Sequence, residues 1–506
     1  MNSEKSDLPA AVSETQERKI IVLLCCLAAI HVFVFSAAFP FFNNVDEPAH
    51  FDLVLKYSHG SVPRGLETFS ADSAIYLSLY SSCAYLGTPD MFPDGRLPPP
   101  PWTQPVEKMR QDLAINAPAW QAQTNYEVSQ PPLYYALAGL WWRLGKWCGF
   151  EGGRLLYWLR FLNILFVAAL VLLGYKAARM IFPGQRFLRL AVPALLAFMP
   201  QSAFYSIGND VLSPLCFGAA IILLIHFFRP EIPGVPPGGV IGLMLAATLL
   251  AKMTNLPLLA VSVAAMLLNL FYLAKNGKVR AALPALTTLF FCAALPMACW
   301  MTWCKCNFGD YTGSKLKMEH FGWTLKPFAE WRHHPIFSPG GVWTYLNGQL
   351  ATFWQGEFSW HNQPLASPAI DFIYTAISLL LLLLASMYLF RRFVNLTPLQ
   401  RQALGFALAS FIAALAFFAL TSVIYDFHDC PNPSREHPYF QAGRMILGAL
   451  IPFLLLFVYG LERALSFIKG RWPCWLALAG IILFMLISEI AMDWPVFASQ
   501  YNWFHM

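Results

Sequence analysis

The amino-acid sequence predicts an all-α protein that crosses a membrane about eleven times. The 506 residues are 57% hydrophobic and only 12% charged, whereas a soluble protein of this size has about a quarter charged residues. Apolar runs close to the ~20 residues that span a bilayer recur along the whole chain. Basic residues concentrate in the short connections on one predicted side, as the positive-inside rule requires.

One further segment, residues 130–147, is apolar on one helical face but short, and it contains Arg143 and Lys146. We interpret it as an amphipathic helix that lies in the membrane interface. Counting it as a span would put the basic segment 176–189 outside and break every later alternation. The predicted spans are residues 20–42, 155–175, 187–207, 211–228, 238–255, 256–274, 281–303, 369–390, 402–424, 443–461 and 473–492.

This topology puts the N-terminus in the cytoplasm and the C-terminus outside. The short connections with Arg186, Arg189, Arg229 and Arg392 are then cytoplasmic, and all the large loops are outside. Any chemistry is therefore expected on the outer face. In order, the chain has a cytoplasmic tail (1–19), the first membrane helix (20–42), a first outer loop with amphipathic helices (43–153), membrane helices two to seven (154–303), an aromatic-rich outer loop (304–368), membrane helices eight to eleven (369–492) and an outer tail (493–506).

The sequence composition also argues against nucleic-acid binding and against a zinc site. Nucleic-acid binding is not expected, because no basic stripe is concentrated in one soluble domain. Several of the eleven cysteines lie in apolar runs, where cysteine behaves as a small hydrophobic residue. Cys304 and Cys306 lack a second pair at metal spacing, so no zinc site is predicted. A disulfide among the outer cysteines is left open, and its pairing cannot be read.

The stretch after the first span places Asp46, Glu47 and His50 where the chain leaves the hydrocarbon. A charged side chain at the centre of a membrane helix costs about 2.5–3.5 kcal/mol on insertion scales, so carboxylates beside lipid require an explanation. They either end the first helix in water, with Pro48 opening the next, or form a catalytic site that faces a lipid-borne substrate.

Further polar residues fall at the outer ends of the predicted helices. Each has a structural alternative, since a carboxylate caps a helix N-terminus and a Lys or Arg side chain snorkels to headgroups. Their convergence at one depth on one side favours a site. They are Gln130 and Tyr134 at the start of the interfacial helix, Arg160 in the second span, Asn209 and Asp210 before the fourth, Lys252 at the end of the fifth, and Gln441 and Arg444 at the start of the tenth.

These residues occur in a recognisable order: Asp46-Glu47-Pro48-Ala49-His50-Phe51, Gln130-Pro131-Pro132-Leu133-Tyr134-Tyr135, Arg160, Asn209-Asp210, Lys252 and Gln441-Ala442-Gly443-Arg444. In this order they resemble the domain of unknown function 2142 family, bacterial membrane proteins similar to the GT-C superfamily of glycosyltransferases. The chain departs from the family pattern at its last motif, which usually reads Gln-Gly-Arg-Tyr. We also expect no sizeable soluble C-terminal domain, so acceptor recognition is expected to come from the loops.

The resemblance implies an inverting glycosyltransferase of the bacterial inner membrane. It would move a sugar from a polyprenyl-phosphate carrier to a glycan or lipid acceptor of the cell envelope. The resemblance implies Asp46 as the base, and we expect Glu47 to be catalytic as well. Cations stabilise charge on a leaving phosphate, so Arg160, Lys252 and Arg444 are expected to bind it. The expected substrate-binding residues are His50, Gln130, Tyr134, Asn209, Asp210 and Gln441.

No cofactor and no metal site is predicted, although the resemblance leaves a divalent ion open. Two other classes remain as alternatives, a polysaccharide polymerase or ligase and a transporter or flippase of a lipid-linked substrate. Transport predicts a polar path through the bilayer, whereas catalysis predicts a pocket that opens only outward.

Overall fold

The computed structural model describes residues 14–503 except 228–233, 392–395, 429, 431, 432, 469 and 471. Most of the expected cytoplasmic tail, the end of the expected outer tail, Arg229 and Arg392 lie outside the described residues. The helices are α1 (Glu14–Ala38), α2 (Glu47–Ser58), α3 (Ala71–Tyr80), α4 (Val106–Gln121), α5 (Pro132–Trp147), α6 (Gly152–Arg160), α7 (Leu162–Ile181), α8 (Arg186–Ala197), α9 (Leu212–Phe227), α10 (Val235–Ala251), α11 (Leu256–Lys275), α12 (Val279–Phe308), α13 (Lys315–His320), α14 (Phe328–Trp331), α15 (Pro339–Gln355), α16 (Pro368–Phe390), α17 (Pro398–Ile424), α18 (Leu450–Ala464) and α19 (Trp472–Phe497).

Short elements complete the described chain. Three antiparallel ladders of two-residue strands pair β1 (Glu67–Thr68) with β2 (Thr124–Asn125), β3 (Thr324–Leu325) with β6 (Tyr425–Asp426), and β4 (Ser359–Trp360) with β5 (Gln363–Pro364). The 3-10 turns are Cys83–Tyr85, Pro89–Met91, Pro93–Gly95, Pro101–Thr103, Ser202–Phe204, Asn209–Val211, Met253–Asn255, Pro335–Phe337 and Gly443–Ala449.

The protein is a polytopic helical membrane protein, as the sequence predicts. In the described residues, nine helices are long and apolar enough to cross a bilayer, and α10 is apolar but shorter. The count of about eleven is therefore not confirmed. The nine are Glu14–Ala38, Gly152–Ile181, Asn209–Phe227, Met253–Lys275, Val279–Phe308, Pro368–Phe390, Pro398–Ile424, Gly443–Ala464 and Trp472–Phe497.

The third predicted span, residues 187–207, is not one continuous helix. Helix α8 has only 12 residues, which corresponds to about 18 Å. Residues 198–208 continue without α-helix, are buried from Met199 onwards and contain one 3-10 turn, Ser202–Phe204. Side chains satisfy this backbone: Asn163 donates to the carbonyls of Phe204 and Ser206 at 3.3 and 2.8 Å. Tyr134 Oη accepts from the N–H of Gly208 at 3.1 Å. Irregular backbone is tolerated at membrane depth where protein groups bond to it in this way.

Helix α18 is the centre of the bundle. Every residue from Leu450 to Leu461 is buried, and the helix packs against α8, α9, α16 and α17. A helix that is apolar on all sides belongs in the core of a bundle. The turn Gly443–Ala449 extends it at its N-terminal end, and this extension places Arg444 at the middle of one end of the molecule.

At the opposite end, the start of α1 meets the connection between α7 and α8. Arg179 pairs with Glu14 at 2.6 Å and Arg189 pairs with Glu17 at 2.9 Å. These contacts place the start of α1, the end of α7 and the start of α8 beside one another. The sequence assigns all three helix ends to the cytoplasm. The orientation of the molecule in its membrane stays a prediction.

The first outer loop and the aromatic-rich loop fold over the other end. Helix α5 packs on α2 and α6 but leaves Leu140 and Trp147 62% and 84% exposed, as an interfacial helix would. The loop 304–368 contains the 17-residue helix α15, which packs against α16. All eleven cysteines lie in the described part of the chain, and none of them forms a disulfide there.

Candidate active site

A cavity of about 540 Å³ opens at the end of the bundle where α1 finishes and the extension of α18 starts. Both outer loops contribute to its walls. The charged residues that line it include Asp46, Glu127, Lys317, Glu357 and Arg444. Its volume lies within the range of about 300–1,000 Å³ that is typical of small-molecule sites.

Asp46 occupies an unusual backbone position at the edge of this cavity. Its φ of 64° and ψ of 0° are left-handed, and its side chain does not cap α2, which begins at the next residue. The side chain is directed to partners outside the helix: Oδ1 accepts from Tyr126 Oη at 2.7 Å and Oδ2 accepts from Arg444. Backbone outliers of this kind cluster at functional sites, where surrounding contacts hold them.

Arg444 joins three carboxylates from distant parts of the chain. Its Nη2 donates to Asp46, its Nε donates to Glu357, and its Nη1 donates to Asp210 at 3.3 Å. The guanidinium side chain is only 5% exposed. A guanidinium has five N–H donors, and two of those of Arg444 make no hydrogen bond to a described residue.

Asp210 and Lys252 form a buried pair behind Arg444. Lys252 Nζ donates to Asp210 Oδ1, and the two side chains are 2% and 4% exposed. Lys252 therefore does not snorkel to headgroups. Asp210 binds cations with both oxygens, so its role goes beyond capping α9. The pair fixes the inner face of Arg444 and stands one layer back from the cavity.

A second network starts at the other wall with Glu127 and Lys317 and continues behind it to Gln130 and Asn209, which were expected to bind substrate but do not line the cavity. Glu127 accepts from Lys317 and from Gln130, and Gln130 Oε1 accepts from Asn209 Nδ2 at 3.0 Å. Lys317 Nζ also lies 5.3 Å from the ring centroid of Tyr126. With its side chain 25% exposed, Lys317 is a more accessible cation than Arg444.

Glu47 and Arg160, which the sequence suggested for catalysis and phosphate binding, lie outside this cavity. Glu47 is fully buried and also accepts from the N–H groups of Phe42 and Ile207 at 2.9 and 3.0 Å. All five N–H donors of Arg160 are used, two on Glu47 and three on the carbonyls of Ser36, Phe39 and Pro40. Arg160 has no donor left for a phosphate, so we assign this pair the structural role of closing α1 against α2 and α6.

His50 and Tyr134 also lie behind the cavity wall. His50 Nδ1 is 2.7 Å from Tyr135 Oη, and burial lowers the pKa of this imidazole. Tyr134 is 1% exposed and supports the backbone that leads to Asn209. Contact with a substrate, which the sequence led us to expect for both, is not available to them in this geometry.

Gln441 does line the cavity. Its Nε2 donates to the carbonyl of Thr344 at 2.5 Å, and its Oε1 lies 2.8 Å from His437 Nε2. Two residues further on, Gly443 packs so closely on α15 that an added Cβ would lie 2.1 Å from the backbone nitrogen of Phe353. This close approach brings Arg444 next to Glu357, the second residue after α15.

The carboxylates of the cavity differ in their ionisation. Burial disfavours the charged form of Asp46, but Arg444 and Lys317 outweigh it and hold the pKa of this carboxyl below its usual range. Burial likewise opposes ionisation of Glu127, and Lys317 lowers its pKa. At Glu357 burial prevails over Arg444, so its pKa is raised. Asp46 and Glu127 therefore stay ionised, whereas Glu357, with its raised pKa, is the stronger base.

Sequence reasoning missed Glu127, Lys317 and Glu357. Glu127 lies three residues before Gln130 and could have been found as a carboxylate next to a recognised motif. Lys317 and Glu357 stand in the aromatic-rich loop without any periodic or motif signal. In the described residues, no three His, Cys, Asp or Glu side chains are arranged to hold a metal ion.

The fold and this enclosed charged cavity define a polytopic membrane protein with a site at one end of its helices. The chain belongs to the DUF2142 family of predicted membrane proteins, whose family model matches residues 29–425. The family expected from the sequence motifs is therefore confirmed. No curated protein sequence matches the chain.

Among solved structures, the chain is similar to an oligosaccharyltransferase from Archaeoglobus fulgidus. The apo form gives 11% identity and a TM-score of 0.42 over 97% of this chain and 57% of that one. The form tethered to an acceptor peptide gives 12% identity and a TM-score of 0.45, over 97% and 56%. The complex of AglB with an inhibitory peptide and a dolichol-phosphate gives 11% and 0.38, over 96% and 56%. The chain spans a little over half the length of these proteins.

The buried pair of Glu47 and Arg160 yields a prediction about stability. Glu47→Ala leaves the Arg160 guanidinium buried without its carboxylate, which costs about 3–5 kcal/mol in comparable cases. We expect a clearly lower unfolding midpoint of the purified protein in detergent, measured by tryptophan fluorescence. The matched control is Glu14→Ala, which removes the exposed partner of Arg179 and should change the midpoint little. Equal midpoints for the two variants would contradict the structural role.

Proposed function

We propose that the protein is a glycosyltransferase that takes its sugar from a polyprenyl-phosphate carrier and transfers it to an acceptor hydroxyl. The observation that carries this proposal is the meeting of Arg444 with Asp46 and Glu357 on one cavity at an end of the helix bundle. Such a site offers a cation for a leaving phosphate and carboxylates for an acceptor proton. Both are required for this reaction.

The donor phosphate is proposed to lie between Arg444 and Lys317. Arg444 keeps two N–H groups that its three carboxylates do not use, and Lys317 donates to Glu127 with one of its three ammonium hydrogens. Charge-assisted hydrogen bonds of this kind are about twice as strong as neutral ones. As the bond from the sugar to the phosphate breaks, the charge that develops on oxygen lies beside fixed cations.

The lipid tail of such a donor has an apolar place to lie. A groove of about 280 Å³ between α15, α16, α18 and α19 is lined by Trp354, Ile377, Phe457 and Phe484, among other residues. Consecutive residues at the end of α15 line the two spaces, Gln355 the cavity and Trp354 the groove. A carrier with its tail in this groove would present its phosphate at the cavity from within the membrane.

The proposed setting is the bacterial inner membrane, with the cavity outside and the paired ends of α1, α7 and α8 in the cytoplasm. The distribution of basic residues supports this orientation. The acceptor would then be a glycan or lipid of the cell envelope. An in-line attack on the sugar, opposite the departing phosphate, would invert the anomeric centre.

Replacement of Asp46 tests the proposal at its centre. Asp46→Asn removes the charge that orients Arg444, and misplacing a positioned group by about 1 Å costs on the order of 10²-fold in rate. We expect kcat for transfer from radiolabelled polyprenyl-phosphate sugars to fall by about this factor, with KM for the donor nearly unchanged. Asp112→Asn, in the exposed pair with Lys108 on α4, is the matched control. Full turnover by Asp46→Asn, or lipid flipping without transfer by the wild type, would count against the proposal.

Lys317 provides a separate test of phosphate binding. We expect Lys317→Met to raise Kd for a polyprenyl-phosphate sugar about tenfold, or about 1.4 kcal/mol, because one of two cations is lost. Lys315→Met is the control on the same helix, since Lys315 is 57% exposed and pairs only loosely with Glu319 at 3.9 Å. Equal donor affinity of both variants in a binding titration would remove Lys317 from the phosphate site.

A further inference from the structure

Glu357 is held in the cavity by the turn that ends α15. Gly356 has a φ of 85°, and an added Cβ would lie 2.0 Å from Ser202 Oγ, so the turn requires glycine. The N–H of Glu357 donates to the same Ser202 Oγ at 3.1 Å, and Phe358 forms a bridge with Asn44. These contacts fix Glu357 beside the stretch that carries Asp46.

The two oxygens of Glu357 have different surroundings. Oε2 accepts from Arg444 Nε, whereas Oε1 accepts no hydrogen bond from any described residue. Because Glu357 lines the cavity and its side chain is 17% exposed, Oε1 is open to a substrate. Asp46 differs, since Tyr126 and Arg444 occupy its two oxygens. Glu127 is likewise bonded through both oxygens, to Lys317 and Gln130.

On the basis of the proposed function, we infer that Glu357, and not Asp46, is the general base that removes the proton of the acceptor. The acceptor O–H bond breaks and its proton moves to Glu357 Oε1. The electron pair of the acceptor oxygen forms the new bond to the anomeric carbon of the sugar. The bond from that carbon to the phosphate oxygen breaks, its electron pair stays on the oxygen, and polyprenyl phosphate leaves. Glu357 then returns the proton to water.

The electrostatic surroundings favour this division of roles. A base works best when its pKa lies near the working pH. Burial raises the pKa of Glu357, whereas Arg444 and Lys317 hold the pKa of Asp46 low. The charged groups that face Glu357 are Arg444, Asp46 and Asp210. The nearby phenol of Tyr85 stays neutral, because burial raises its pKa to about 12. Asp46 then acts as a positioning residue for Arg444.

The test is the pH dependence of kcat/KM for the acceptor, measured with the full-length protein in lipid nanodiscs. The base must be ionised, so the activity of the wild type should fall as the pH drops through the raised pKa of Glu357. We expect Glu357→Gln to lower the rate at neutral pH by about 10²–10⁴-fold and to lose this acid limb. Its donor affinity should stay within about twofold of the wild type, which also reports on folding.

Three further variants distinguish the role of Glu357 from that of the other carboxylates. Asp46→Asn should be slower but retain the acid limb. Asp371 also lines the cavity, accepts a hydrogen bond from Gln355 at 2.9 Å and makes no ion pair with a described cation. Asp371→Asn should therefore retain the acid limb of the pH profile as well. Glu357→Asp, which keeps a carboxylate, should retain the limb at a reduced rate.

The possible outcomes separate this inference from the proposed function. A wild-type pH profile in Glu357→Gln, or loss of the acid limb in Asp46→Asn or Asp371→Asn, overturns the base assignment and leaves glycosyl transfer in place. A wild-type protein that transfers no sugar from any polyprenyl-phosphate donor removes both. Loss of the limb in Glu357→Gln alone supports both.

Discussion

The guanidinium of Arg444 holds together the end of the helix bundle where the cavity opens. It bonds to Asp46 after α1, to Asp210 before α9 and to Glu357 after α15. Three ionised carboxylates this close would repel one another, and Arg444 with Lys252 behind it supplies the compensating charge. A buried network of this kind is costly if any member is missing, because the remaining charges are left unpaired. The geometry of the cavity therefore depends on one side chain.

The position of Arg444 is set by α18, the central helix of the bundle. Helix α18 is buried on all sides, so its N-terminal extension lies at the centre of one end of the bundle. Because the third predicted span is not a continuous helix, the backbone of residues 198–208 lies near this end of the bundle. Glu47 and Tyr134 accept hydrogen bonds from its N–H groups. Glu47 is in turn held by Arg160. The pair of Glu47 and Arg160 and the cavity residues therefore belong to neighbouring polar networks, of which only the second lines the cavity.

Sequence reasoning found the members of this network that stand at the ends of apolar runs. Asp46, Asp210, Lys252 and Arg444 were predicted to converge, and in the structure they form one continuous chain of contacts. Glu47 was misassigned because hydropathy cannot tell a carboxylate that faces a cavity from one that faces a buried guanidinium. Lys317 and Glu357 were missed because they lie in a loop whose path is set by tertiary contacts, such as the one between Gly356 and Ser202. The break in the third span was not predicted, because it also depends on tertiary contacts.

An experimental structure of the protein in a nanodisc with polyprenyl phosphate would show whether Arg444 and its carboxylates form a site for a lipid-linked phosphate. We expect phosphate oxygens within hydrogen-bond distance, about 2.7–3.2 Å, of Arg444 or Lys317, with the lipid tail between α16 and α19. A phosphate bound at the other end of the bundle, near Arg186 and Arg189, with the cavity empty, would contradict it.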